Sequence, residues 1–339
     1  MILAAALLAA CGNGNGNGSE NGSGSGGSGE ELVVYSGRSE SLVDPILKQF
    51  EKDSGIKLRI QYADTSELTP TLLEEGENSP ADLFFSQDAG ALAALANEGL
   101  LADLPADAVE SVDERFRDPG ATWVGVTGRA RVIGYNTDKV TEADLPKSVF
   151  DVTDPKWKGR VGFPPTNASF VSFVSALIES VGRDRTKQFL EGLKANDAKR
   201  YDNNVLALKA VAAGEVDLAL VNHYYLYANF KDQPNAPLAN HYPGQDEGGE
   251  GTFVNVAGVG VLESSKKKDA ALKLVRYLLD VKAQEYFRDK TSEYPLRSGI
   301  DPIAELPPLA NLKTIDVPLT ELGRDLRAST ELLKEVGLT

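Results

Sequence analysis

The sequence predicts an α/β fold with doubly wound lobes, and three observations carry that expectation. Between residues 31 and 96, short apolar runs alternate with segments of helical spacing in the order β-α-β-α-β. Each of these strands ends in a short polar turn, as a sheet with helices on its faces requires. Much later, the apolar run Val216–Val221 passes straight into a helical segment, as a parallel strand covered on both faces does.

Taken in order, Leu32–Tyr35 is a strand and Ser36–Glu40 a turn. Ser41–Ser54 is a helix with Leu42, Val43, Ile46, Leu47 and Phe50 along one face, and Gly55 supplies the left-handed stop. Leu58–Tyr62 alternates as a strand and Ser66–Glu75 is helical. Ala81–Phe85 is the third strand, followed by the turn Ser86–Gly90 and a helix through Ala96. Trp123–Tyr135 reads as extended chain leaving a first lobe for a second. The turn Asp154–Arg160 leads into strand Val161–Phe163, and Pro164–Ser169 opens a helix at about Phe170–Val181. Asp184–Ala195 is helical, and Asn203-Asn204 caps helix Val205–Ala213. After the Val216–Val221 strand, Asn222 offers a side-chain cap for the next helix. Thr252–Leu262 is strand-like and crosses back. Asp269–Asp280 and Lys282–Arg288 are amphipathic helices, Glu293–Leu296 is a turn, and Thr320–Glu335 is a terminal helix. There are no tandem repeats.

The 339 residues, 42% of them hydrophobic, suffice for one large or two ordinary domains. A formal net charge of −15 argues against a nucleic-acid partner, and it makes any anion site a local exception to the global field. Cys11 is the sole cysteine, which excludes disulfides and cysteine-ligated zinc within one chain. It follows the apolar stretch Met1–Ala10 in the small-residue pattern Leu8-Ala9-Ala10-Cys11 of a bacterial lipoprotein cleavage site. Residues 1–11 are therefore expected to be a signal peptide with a lipidated Cys11, since ten apolar residues are too few to span a bilayer. Residues 12–30 are nearly all Gly, Asn and Ser and read as a flexible tether. Together they place a folded module, anchored by lipid, on the extracytoplasmic face of a bacterial cell membrane.

No Gly-x-Ser-x-Gly, His-Glu-x-x-His or phosphate-binding Gly-Lys-Ser/Thr loop occurs, so no enzymatic activity and no catalytic residue is expected. The chemistry gathers at Tyr224 and Tyr225, in the first turn of the helix after Val216–Val221. In open α/β sheets ligands bind beyond the carboxyl ends of strands, where this pair falls. Two ionised phenols are hard oxygen donors suited to Fe³⁺. On the residues alone, packing against the core is the other reading of the pair.

The ordered set V-Y-S-G-R (34–38), S-P-A-D-L-F-F-S-Q-D (79–88), T-G-R-A-R-V-I-G-Y-N (127–136), P-P-T-N-A-S-F (164–170), N-N-V-L-A-L-K-A-V (203–211), V-N-H-Y-Y (221–225) and E-Y-P-L (293–296) resembles the periplasmic-type ferric-ion-binding proteins, solute receptors of ATP-driven iron importers. The resemblance spans residues 31–339. It implies a two-lobed periplasmic-binding-protein fold, type II-like, with doubly wound lobes joined by crossing hinge strands. Residues 31–128 with about 254–304 would form the N-terminal lobe, and 129–253 with about 305–339 the C-terminal lobe. It implies Tyr224 and Tyr225 as metal ligands, Asn167, Ala168 and Ser169 as an anion-binding turn, Asn204 and Asn222 as amides holding the same anion, and Arg129 as a cleft arginine. A helix start is a ready anion cradle, which agrees with that turn.

The sequence departs from the family pattern in the first lobe. Ser39 stands where many members have a histidine, and Gln87, with Asp88 beside it, where many have a glutamate. Phe170 stands where some members carry a third tyrosine. Gln87 and Asp88 are the candidate first-lobe metal ligands. Fe³⁺ with two phenolates keeps one net positive charge, which bicarbonate, carbonate or phosphate would balance, with Arg38 and Arg129 gripping the oxyanion. Tyr227 is expected in packing, and His223 and His241 at the surface. The implied function is capture of ferric iron with a synergistic anion and delivery to an ABC permease by a monomeric receptor. The alternative is the same fold binding a polyamine, thiamine, a phosphonate or a free oxyanion.

Overall fold

The computed structural model describes residues 31–339, so Cys11, where lipidation is expected, and the expected tether at 12–30 lie outside the described residues. The first half builds β1 (Glu31–Ser36), α1 (Glu40–Ser54), β2 (Lys57–Tyr62), α2 (Thr65–Glu75), β3 (Leu83–Ser86), α3 (Ala89–Asn97) and a short α4 (Ala106–Val109). β1 lies between β2 and β3, parallel to both, and is buried from its second residue onward. Gly55 ends α1 at φ 74, with its N–H on Glu51 O. That region favours glycine, because a Cβ there crowds the backbone.

β4 (Trp123–Asn136) then runs for 14 residues, all buried. Beyond it come β5 (Val161–Phe163), α5 (Ala168–Val181), α6 (Arg183–Ala195), β6 (Lys199–Arg200), α7 (Asn204–Ala212), β7 (Leu218–Asn222), α8 (Tyr224–Phe230) and β8 (Leu238–His241). The chain returns through β9 (Val254–Val261) to α9 (Lys268–Leu278), α10 (Val281–Tyr286), β10 (Tyr294–Pro295) and α11 (Glu321–Val336). The strand order is β2-β1-β3-β9-β4-β7-β5-β6.

β4 changes partner midway. Trp123–Ala130 pairs antiparallel with β9, and Arg131–Tyr135 pairs antiparallel with β7. One continuous strand thus belongs to both halves of the molecule. β9 makes the return crossing, antiparallel to β3. Two α/β lobes joined by crossing strands is the architecture the sequence leads one to expect.

Three local expectations are corrected. β7 is buried on both faces and parallel to β5, but its other neighbour, β4, is antiparallel because it enters from the first lobe. Asn222 ends β7 rather than capping α8; His223 holds the cap position without a side-chain cap bond. Glu293–Leu296 is not merely a turn, since Tyr294 and Pro295 add an antiparallel rung beside Gly128 and Thr127 of β4.

α11 rests on both lobes. Gly323 lets it approach α3 so closely that a Cβ would lie 2.5 Å from Ala94 N. Its other end is tied to α6 through Glu335, which accepts from Arg183 at 2.5 Å and Lys187 at 2.6 Å. Among the described residues no helix is long and apolar enough to cross a membrane.

Candidate functional site

Tyr224 and Tyr225 form the first turn of α8, at the carboxyl end of β7. Their rings lie 4.1 Å apart at 31°, with 1% and 9% of each residue exposed. Burial, then the neighbouring Tyr225, pushes the Tyr224 phenol well above its ordinary pKa, while Arg38 and Arg129 pull against that rise. Tyr224 therefore holds its proton at neutral pH.

Three buried arginines surround the pair. Arg38, on the turn after β1, donates from Nη2 to Glu293 Oε2 at 2.6 Å. Burial works against its charge, but Glu293 and the two phenols outweigh burial and hold its pKa above the ordinary arginine value. Arg129 and Arg131, two residues apart on β4, project to the same face of the strand. Arg129 is only 1% exposed, yet Nε, Nη1 and Nη2 find no hydrogen-bond partner among the described residues. Burial, then Arg38, lowers its pKa. A buried guanidinium in this state requires an acceptor, because each unsatisfied donor costs about 1–3 kcal/mol.

Arg131 is the most connected of the three. Nη1 lies 3.2 Å from Ser169 Oγ, 3.3 Å from Asn204 Oδ1 and 3.4 Å from Asn222 Oδ1, and Nη2 donates to Leu220 O at 2.7 Å. Phe170 and Phe173 face the guanidinium at 5.2 and 5.8 Å. Burial pushes its pKa down to about 9.

The expected anion turn is a capped helix start. Asn167 precedes α5, and its Oδ1 accepts from Ser169 N at 3.1 Å, Ser169 Oγ at 2.6 Å and Asn204 Nδ2 at 3.2 Å. Asn222 Nδ2 is buried without a partner among the described residues. A cavity of about 700 Å³ opens in front of these groups, lined in part by Arg38, Gln87, Asn167, Ala168, Asn203 and Tyr225. Tyr224, Arg129, Ser169, Asn204 and Asn222 lie behind that lining.

Of the two first-lobe candidates, Gln87 faces the cavity, its backbone N–H held by Thr65 Oγ1 at 3.0 Å. Asp88 is partly committed elsewhere. Its Oδ1 caps α3 through Ala91 N at 3.1 Å and accepts from Ser172 Oγ at 2.8 Å, joining α3 to α5. Its Oδ2 has no partner among the described residues, and burial raises its pKa against the pull of Ser172 and Arg129. Among the described residues no three His, Cys, Asp or Glu side chains converge as a metal cluster. Besides the phenols, the buried oxygens here include Asp88 Oδ2 and Glu293 Oε1, which have no hydrogen-bond partner among the described residues.

His223, expected at the surface, is fully buried. Its Nδ1 accepts from Ala130 N at 3.1 Å, which leaves the proton on Nε2, 3.1 Å from Ser292 O. Burial drives its pKa to about 3. His241 is half-buried, with Nε2 2.8 Å from Pro146 O. Both imidazoles serve backbone groups of distant segments, a need that local sequence does not display. Tyr227 is half-buried, and its hydroxyl lies 3.4 Å from Glu305 O. Sequence reasoning also missed Arg131 and Glu293. The Arg-x-Arg spacing was the available signal for Arg131, since period two puts both arginines on one face.

The sequence pattern of the bacterial extracellular solute-binding protein family matches residues 78–317. The major ferric iron-binding protein of Neisseria meningitidis is 34% identical over 310 residues, covering 91% of this chain and 93% of that one. The Fe(3+)-binding periplasmic protein of Serratia marcescens is 34% identical over 312 residues, covering 91% and 90%. Iron-bound HitA from Pseudomonas aeruginosa has a similar structure, with a TM-score of 0.85 at 36% identity, covering 91% of this chain and 99% of that one. Fold and cleft are those of a two-lobed solute-binding receptor. Within that class, the chain belongs to the periplasmic-type ferric-ion-binding proteins.

Proposed function

We propose that this protein is an extracytoplasmic receptor that captures Fe³⁺ together with an oxyanion between its lobes and hands it to an ABC permease. The observation that carries this reading is the buried, unpartnered guanidinium of Arg129 beside two buried phenols. Phenols alone would suit packing; phenols next to an unsatisfied cation suit a metal bound with an anion.

The local charge supports the anion half of the reading. Arg129 lies among Glu293, Asp88, Arg38 and Arg131, so the cleft holds three positive groups against two carboxylates. Fe³⁺ on two phenolates adds one more positive charge, so the cleft accommodates a dianion. Carbonate or phosphate has that charge and the oxygens to satisfy Arg129 bidentately. In this reading Tyr224 and Tyr225 bind the metal, and Gln87 contributes from the first lobe with Asp88 behind it. Arg38, Arg129, Asn167, Ala168, Ser169, Asn204 and Asn222 hold the anion. The change of partner at Ala130 and Arg131 of β4 supports a hinge near the lobe boundaries 128/129 and 253/254. Lipidation of Cys11 would keep the receptor, a monomer, at the membrane beside its permease.

The test is a ferric titration of the ligand-free protein followed in the visible range. Tyrosinate-to-Fe³⁺ charge transfer should colour the loaded protein. A colourless complex, or a Tyr224→Phe/Tyr225→Phe double variant that binds iron as tightly as wild type, would put the site elsewhere.

A further inference from the structure

A guanidinium carries donors only, so every polar atom facing it must be an acceptor. Arg131 therefore fixes the orientation of each group it touches. It turns the oxygens of Asn204 and Asn222 toward itself, at 3.3 and 3.4 Å, and sends both Nδ2 groups the other way. The Ser169 hydroxyl accepts from Arg131 at 3.2 Å, so its own proton points to Asn167 Oδ1 at 2.6 Å. Asn204 Nδ2 reaches the same oxygen at 3.2 Å, and Ser169 N at 3.1 Å. Both arms, through Ser169 and through Asn204, thus run from Arg131 to Asn167 Oδ1 and use their acceptors internally. What remains over is donors, above all Asn222 Nδ2, buried and unpartnered.

We propose that Arg131 is a positioning residue that makes this cleft select an oxyanion, by holding Asn204 against Asn167 and locking the Asn222 amide with its N–H groups toward the ligand. The inference rests on the ferric-and-anion reading of the cleft and deepens it. Arg131 acts through the amides: Nη1 and Nη2 are engaged by Ser169, the two amides and Leu220 O, and Nε alone of its nitrogens is without a partner among the described residues. Without it, a free carboxamide presents oxygen as readily as nitrogen, and the wall loses its polarity. Phe170, where some relatives of this class carry tyrosine, packs on the guanidinium at 5.2 Å and helps keep water from competing for it.

The experiment compares iron affinity in anion-free buffer with that in inorganic phosphate, from one ferric nitrilotriacetate stock, for the full chain and three variants. The quantity read is the ratio of the two affinities, which a general loss of stability does not move. In wild type phosphate should strengthen binding by about 100-fold, one or two charge-assisted contacts. Arg131→Lys, still donor-only, should keep at least about tenfold, whereas Arg131→Gln, which can present either atom, should fall below about threefold. Asn222→Asp leaves Arg131 in place but replaces the leftover donor with an acceptor, and its ratio should fall to one or below. An Arg131→Gln variant that weakens iron binding equally in both buffers would overturn the inference while leaving the function intact. Should that variant fail to fold, an Asn222→Asp variant with the wild-type ratio would overturn it as well. No phosphate effect in wild type would overturn the anion reading itself, and the inference with it.

Discussion

Ala130 and His223 exchange two hydrogen bonds where β4 changes partner. His223 N donates to Ala130 O at 3.0 Å, and Ala130 N donates to His223 Nδ1 at 3.1 Å. The imidazole thus stands in for a strand residue at the junction between β9 and β7. It also fixes the start of α8, one residue before the phenols.

Truncation of this contact should be costly. His223→Ala leaves a buried N–H without an acceptor and opens a cavity, a loss on the order of 2–4 kcal/mol. Burial has lowered the His223 pKa from 6.5 to about 3, so the folded state binds fewer protons than the unfolded chain between those values. Its stabilisation is complete above pH 6.5 and is lost as pH falls toward 3. Half-buried His241 is lowered too and acts in the same direction. Urea denaturation of ligand-free wild type and His223→Ala from neutral to acidic pH should show their stability difference shrinking on acidification.

Iron affinity should itself depend on pH. Tyr224 must lose a proton that burial and Tyr225 hold tightly, so affinity should fall by at least about one decade per pH unit on acidification. Equilibrium titrations at stepped pH, read at the charge-transfer band, measure the slope. A flat profile would mean that Tyr224 does not ligate.

Arg129 should show opposite effects on stability and function. Arg129→Met removes an unpartnered buried cation, so the ligand-free protein should be as stable as wild type or more so, by up to about 2 kcal/mol. The same change should cost about one to two decades of iron affinity in bicarbonate or phosphate. Denaturation and titration on one preparation give both signs.

Anchoring should be separable from binding. Cys11→Ser is expected to release the protein from membranes in its native host with the ferric titration unchanged. Fractionation and intact-mass analysis for lipid on Cys11 decide it.

How much of this could be read beforehand depended on the range of the interaction. The Asn203 cap and the Gly55 stop were legible because both act within a turn of their own helix. The place of Tyr224 and Tyr225, just past a strand's carboxyl end, was legible because the apolar run and the helix after it are local in sequence. His223, Glu293 and Arg131 were not, because their partners lie 93, 255 and 38–91 residues away. Asn222 was misread for the same reason, since Arg131 takes the oxygen that local reasoning assigned to a helix cap.

The depth of Tyr224 has a consequence for time rather than for affinity. With 1% of the residue exposed and Tyr225, not Tyr224, lining the cavity, a metal bound on Tyr224 as proposed would be out of reach of a competing chelator while the lobes are closed. On the proposed reading, departure would wait for β4 and β9 to flex and for the Asp88–Ser172 contact between α3 and α5 to part. The residence time of the cargo is then set by how often the receptor opens. Raising the concentration of a scavenger should leave that clock unchanged, whereas a docked permease that held the lobes apart would reset it.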